Sequence, residues 1–237
     1  MSLARRSVIE SIDGAGKTVA AHGTALNLSG VYRDKRIAVV DSTGVYRYQS
    51  GELSDQSWTQ LENLEPHQSR SKLVIAAKLG AFTLARRMVE GVATRHAALV
   101  IGVRDPYRID PAAYALVFGP SRIRKLSAVA RLRMFSSFTN SIHPEIIVHL
   151  QTDPLEARPS NDRNNLLDSH ETVEKMKIVS DELPLVLAGY KKLFGTEVAQ
   201  VQALRPSTTD QVTARIEPLL VTSMSNVAVP SLPTAML

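Results

Sequence analysis

Five short apolar runs punctuate the chain: Ser7 to Glu10, Arg36 to Asp41, Ala98 to Val103, Glu145 to Leu150 and, more weakly, Val198 to Leu204, with helical stretches between them. That alternation predicts parallel strands joined by crossover helices. Ile37 to Val40 and Leu99 to Val103 are continuously apolar rather than alternating, the pattern of strands covered on both faces. The expectation is a three-layer α/β domain with a central sheet of five parallel strands flanked by helices.

Helical periodicity is clearest from Ser69 to Thr94. Leu73, Ala77, Ala81, Leu84, Met88 and Val92 recur there at three- and four-residue steps, with Arg86, Arg87 and Glu90 on other faces. A second long helix is expected from about His170 to Phe194, begun, kinked or divided by Pro184. Pro120 to Phe135 reads as one basic amphipathic helix, with Arg122, Arg124, Lys125, Arg131 and Arg133, no acidic residue, and a stripe of Ile123, Leu126, Val129, Ala130 and Met134. Residues 221–237 turn to Ser, Thr, Pro and small side chains that bury little, so a loose tail is expected after a single domain spanning 1–220.

Charge and composition narrow the chemistry. Among 237 residues, Lys and Arg number 28 and Asp and Glu 23, a net charge of +5 that suits an anionic ligand. Cysteine is absent, which removes disulfides, thiolate metal sites and cysteine nucleophiles. The longest apolar runs, such as Ala97 to Val103, fall far short of the roughly 20 residues of a membrane helix, so a soluble, cytoplasmic protein without a membrane partner is expected. No hydrolase triad or zinc spacing appears. The basic run lacks a reader motif and interleaved aromatics, so nucleic acid is not an expected partner.

The strongest chemical signal is Ser-Ile-Asp-Gly-Ala-Gly-Lys-Thr at residues 11–18, after the first apolar run and before a helical stretch. Strand, glycine loop and helix N-terminus form the setting of a phosphate-binding loop. Gly14 and Gly16 let successive backbone N–H groups converge on phosphate oxygens where a Cβ would obstruct them. Asp13, Gly14, Ala15, Gly16, Lys17 and Thr18 are thus the expected nucleotide-binding residues. Lys17 would neutralise β- and γ-phosphate charge and the Thr18 hydroxyl would ligate Mg²⁺. The full pattern asks for glycine at position 11, where the chain has Ser11.

Val8 to Thr18, with Asp13 as its distinctive residue, resembles the opening of the thymidylate kinases, which reads Phe-Glu-Gly-Ile-Asp-Gly-Ala-Gly-Lys-Thr. Further matches follow in order: Arg104-Asp105-Pro106-Tyr107 against Asp-Arg-Tyr, Ile109 to Tyr114 against Ser-Ser-x-Ala-Tyr, and His143 to Ala157 against Pro-Asp-x-x-x-x-Leu-x-x-Asp-Pro-x-x-Ala. The resemblance covers about 200 residues. It implies a nucleoside monophosphate kinase that takes Mg²⁺ and ATP, with an arginine-bearing lid over residues 157–168 that carries Arg158 and Arg163. Lys17, Asp13, Asp105, Arg104, Arg158 and Arg163 are then the expected catalytic residues, and Thr18 and Asp105 the expected metal ligands. Pro206-Ser207-Thr208 falls where relatives pack a loop against adenine. Relatives also pair through helices, which makes the helix from Ser69 the candidate seam of a homodimer.

Departures from the family pattern gather on the acceptor side. The Phe that stacks on thymine and the Arg that contacts it are Ile75 and Leu79; the Arg of Asp-Arg-Tyr is Pro106; the Arg-Glu-Pro-Gly after the second strand is Asp41-Ser42-Thr43-Gly44. Asp41, Ser42, Lys78, Tyr107 and Tyr114 remain as acceptor-site candidates. Two functions are compatible with that pattern: a phosphotransferase acting on dTMP or another small acceptor, and a nucleotide-binding protein without transfer activity.

Overall fold

A computed structural model describes residues 4–59, 71–117, 121–137, 143–157, 172–203 and 207–225. The strands are β1 (Arg5–Glu10), β2 (Ile37–Val40), β3 (Gly44–Gln49), β4 (Glu52–Trp58), β5 (Leu99–Val103), β6 (Ile146–Gln151) and β7 (Glu197–Gln202). The helices are α1 (Lys17–Val31), α2 (Lys72–Thr94), α3 (Ile109–Val117), α4 (Ser121–Arg124), α5 (Ala128–Ser136), α6 (Val173–Phe194) and α7 (Thr209–Ser225).

All seven strands form one sheet in the order β4-β3-β2-β5-β1-β6-β7. The five expected strands are present, and β2-β5-β1-β6-β7 pair in parallel. The expected count of five is corrected to seven by the antiparallel hairpin β3–β4 on the β2 edge. Its outer strand, Glu-Leu-Ser-Asp-Gln-Ser-Trp, is almost wholly exposed and has no inward apolar set to announce it.

Burial explains the layering. Val8 and Ile9 on β1 point to opposite faces, as successive strand residues must. Ile9, Val148 and Leu150 pack under α1 and α7, while Val8 and Ile147 pack under α3, α5 and α6. Helix α2 closes a smaller cluster over Ala38, Val40 and Val100 through Ala93.

Three helices differ from expectation. Helix α6 runs unbroken through Pro184, capped by the Thr172 hydroxyl and ended by Gly195 at φ 70. The expected basic helix over residues 120–135 is two short helices, because the Ser127 hydroxyl accepts the Ala130 N–H and starts α5 afresh. Arg131, read as part of a basic face, is buried and paired with Glu182 at 2.9 Å. Helix α7 extends to Ser225, so 221–225 continue the fold rather than begin the tail.

On α2 the faces are reversed. Leu84 and Met88 of the apolar stripe are 62% and 68% exposed, whereas Arg86 is 1% exposed and Glu90 is buried with it. Buried partners cause this inversion. Arg6 on β1 donates to Glu90 at 2.8 Å, Arg86 Nε to Glu90 at 3.1 Å, and Arg86 Nη2 to the carbonyls of Val40 and Val103. The two arginines hold the Glu90 carboxyl below its usual range although burial alone would push it up.

Candidate active site

The glycine loop leaves the end of β1 and enters α1 at Gly16. Gly14 and Gly16 adopt φ 75 and 77, a region that L side chains rarely occupy. Gly16 caps the helix with no side chain of its own, which leaves the N-terminal amides of α1 directed at the loop. Lys17 is buried, and its Nζ donates to the Ser11 and Ile12 carbonyls at 3.1 and 2.5 Å and lies 3.6 Å from Asp13. Thr18 is exposed on the first turn. Ser11, in the glycine position, turns its hydroxyl into the Leu150 carbonyl at 2.5 Å. The atypical residue therefore ties the loop to β6.

Beside the loop lies a cleft of ≈ 220 Å³ lined by Gly14, Ala15 and Gly16, by Thr152 and Glu156 after β6, and by Ser207 and Val212 at the start of α7. The Ser207 expectation fits this wall. On the loop's other flank a cavity of ≈ 250 Å³ is lined by Ser11, Ile12, His149, Thr152, Ser180 and Pro184. His149 Nδ1 and Thr152 Oγ1 are buried there without hydrogen-bond partners among the described residues, and burial pushes the His149 imidazole down to about 4.

Arg104 follows β5, and its guanidinium pairs with Asp13. Its backbone is left-handed at φ 68, held by its N–H bond to the Ile9 carbonyl at 2.9 Å. Glu10, which the sequence reading did not select, is buried at the end of β1. One of its oxygens accepts the Ser11 N–H at 3.1 Å and the other the Asp105 N–H at 2.9 Å. Burial raises its carboxyl above the usual range despite nearby Lys17.

Asp105, Tyr107 and Asp41 are not among the residues that line the cleft. The Asp105 carboxylate is fully buried, accepting from the Tyr107 N–H at 3.0 Å and the Tyr190 hydroxyl at 3.3 Å, with Arg6 at 3.8 Å. These contacts brace the end of β5. The buried Tyr107 ring lies 5.1 Å from the Arg6 guanidinium. Asp41 caps the β2–β3 turn, accepting from the Thr43 and Gly44 N–H groups and the Thr43 hydroxyl, with His22 at 3.3 Å. Although burial raises it, these bonds leave its carboxyl lowered overall. Ser42 sits half-buried on that turn and Lys78 half-buried on α2. Arg158, Arg163 and the side chains of Tyr114 and Ile75 lie outside the described residues.

A smaller recess of ≈ 30 Å³ opens between the loop, the end of β5, α3 and α6, lined among others by Glu10, Asp13, Arg104 and Asp110. Asp110, in the first turn of α3, is only 9% exposed. Burial and the neighbouring Glu10 raise its carboxyl well above the usual range. The sequence signal for it was slight: an Asp at a helix start is an ordinary first-turn residue.

The fold is a mostly parallel central sheet with a glycine loop between β1 and α1. Among solved structures, the chain is similar to thymidylate kinase from Candida albicans, with a TM-score of 0.65 and 15% identity over 94% of each chain. It is also similar to deoxyadenosine kinase from M. mycoides, solved with bound dATP, with a TM-score of 0.57 and 11% identity over 91% of this chain and 99% of that one. No family model and no curated protein matches the sequence.

Proposed function

We propose that the protein is an ATP-dependent phosphotransferase of the nucleoside and nucleotide kinase type. The resemblance to thymidylate kinases starts that reading from a nucleoside monophosphate acceptor, dTMP or another. The observation that carries it is the loop: two left-handed glycines, a buried lysine and a helix N-terminus with no side-chain cap, beside a cleft whose wall includes Ser207. These residues fit a nucleoside triphosphate. Lys17 would exchange its loop carbonyls for phosphate oxygens, and the amides around Gly14 to Thr18 would cradle them. The exposed Thr18 hydroxyl would hold Mg²⁺, which supplies charge neutralisation when bound. Asp13 and Arg104 would border the transferred group, with Arg158 and Arg163 closing over it.

Titration calorimetry with Mg²⁺ and ATP tests this directly. Saturable binding that Lys17→Ala weakens at least tenfold is expected; equal binding by the variant would overturn the assignment.

A second reading, nucleotide binding without transfer, is favoured by one observation: Asp41, expected at the acceptor, and Asp105, expected as a catalytic and metal-binding residue, are engaged in internal bonds. The outward row of Val74, Leu84, Met88 and Val92 on α2 supports a homodimer through that helix. Among the described residues no helix is long and apolar enough to cross a membrane, in keeping with a soluble protein.

A further inference from the structure

The cavity of ≈ 250 Å³ between the glycine loop, the end of β6 and α6 holds polar groups that phosphoryl transfer does not use. Of its lining, Thr152 alone is shared with the cleft of ≈ 220 Å³ beside the loop. His149 lines it at 6% exposure, and its ring takes part in no hydrogen bond with the described residues. An imidazole carries a donor at one nitrogen and an acceptor at the other, and a buried ring that uses neither calls for a partner. The buried Thr152 hydroxyl is in the same state. The Ser180 hydroxyl of α6 adds a third polar group, half-buried.

Size and charge narrow the partner's class. One ordered water needs only ~10–15 Å³ of such space, whereas ligand pockets begin near ~300 Å³, so ≈ 250 Å³ suits a small organic molecule. Asp153 is the one charged side chain among the described residues that line the cavity, and it is exposed. Burial holds the His149 imidazole neutral at pH 7. A phosphate or carboxylate would therefore lose its water with no cation in return. A cation would gain only a screened pairing with Asp153, whose Oδ1 already accepts the Leu155 N–H at 2.8 Å. An uncharged molecule with a donor and an acceptor on one edge answers His149 and Thr152, and flat faces answer the apolar side chains of Ile12, Leu150 and Pro184.

We propose that this cavity is a second binding site, separate from the nucleotide cleft, for a small uncharged nitrogen heterocycle of the size of a pyrimidine or purine base, hydrogen-bonded by His149 and Thr152. The site stands whether or not the loop transfers phosphate. Its occupant would lie against Ser11 and Ile12, whose carbonyls hold Lys17, and against Thr152 on the wall shared with the cleft.

The experiment titrates the full chain calorimetrically with uracil, cytosine and adenine as probes, alone and beside Mg²⁺ and a non-hydrolysable ATP analogue that fills the cleft. Binding of at least one base, at one site per chain and with the analogue present, is expected. His149→Leu removes a hydrogen-bonding partner and should weaken that binding about tenfold. Ser180→Leu, which fills the cavity from α6, should weaken it at least as much and keeps the test in force if the first variant does not fold. Both variants should keep the analogue's affinity within about threefold of wild type.

No binding of any probe, binding lost once the analogue is present, or base affinities within about threefold of wild type in the folded variants would overturn the site. Displacement of the bound base by inorganic phosphate would overturn the uncharged class. Absence of analogue binding would overturn the phosphotransferase reading alone, and the titrations without it would decide this one.

Discussion

The Glu10 carboxylate joins two strand ends: one oxygen accepts the N–H of Ser11, the other the N–H of Asp105, at 3.1 and 2.9 Å. The carboxylate thus pins the segment after β1 to the segment after β5. Replacing Glu10 with Ala leaves two buried N–H groups unpaired, a loss of about 2–4 kcal/mol. With ~2–4 °C per kcal/mol for a chain of this size, thermal denaturation should show Tm lower by about 5–15 °C. An unchanged Tm would mean that water or another group replaces the carboxylate.

Arg104 combines a useful charge with an unfavourable backbone. At φ 68 a Cβ costs roughly 1–2 kcal/mol, which glycine avoids. Arg104→Gly and Arg104→Ala both remove the pair with Asp13. The glycine variant should nonetheless be the more stable by about 1 kcal/mol after its greater unfolded-state entropy is counted, while both lose ATP-dependent turnover alike. Equal denaturant midpoints for the two would contradict a strained Arg104.

Ser11 occupies the glycine position of the loop and spends its hydroxyl on the Leu150 carbonyl. Ser11→Gly is expected to preserve ATP affinity within about threefold while lowering stability by about 1 kcal/mol. A large loss of affinity would instead give the hydroxyl a direct part in nucleotide binding.

His149 makes stability depend on pH. Burial depresses its imidazole from 6.5 to about 4, so between those values the unfolded chain binds the proton and the folded one does not. Its contribution is complete above about pH 6.5 and lost as pH falls toward 4, amounting to about 3 kcal/mol at most. Wild type should therefore lose about 5–10 °C more in Tm than His149→Leu between about pH 7 and 4.5. Parallel pH profiles for the two would show the imidazole to be solvated.

The parallel strands were legible because Ile37 to Val40 and Leu99 to Val103 are apolar without alternation, and a strand buried on both faces has to be. The loop was legible because its chemistry is local, eight residues in sequence. What escaped depends on distant partners. Arg86 and Glu90 fall outside the apolar stripe of their helix, yet they turn inward to meet Arg6, which lies 84 positions from Glu90. Asp105 and Tyr107 were legible as residues following a strand, but their internal partners Tyr190 and Arg6 lie far off in sequence. Asp41 to Gly44 carried the turn signals between β2 and β3, but the polar sequence of β4 gave no strand period. Asp110 differs from an ordinary helix-start acid only in what surrounds it.

The most direct measurement is the initial rate of ADP formation from Mg²⁺ and ATP across nucleosides and nucleoside monophosphates, with no-acceptor controls and Lys17→Ala as the blank. The expected result is acceptor-dependent ADP formation with at least one compound, abolished in the variant while its circular dichroism and Tm stay those of the wild type. ADP formation that Lys17→Ala leaves unchanged, or none with any acceptor although ATP binds, would contradict phosphoryl transfer by this loop.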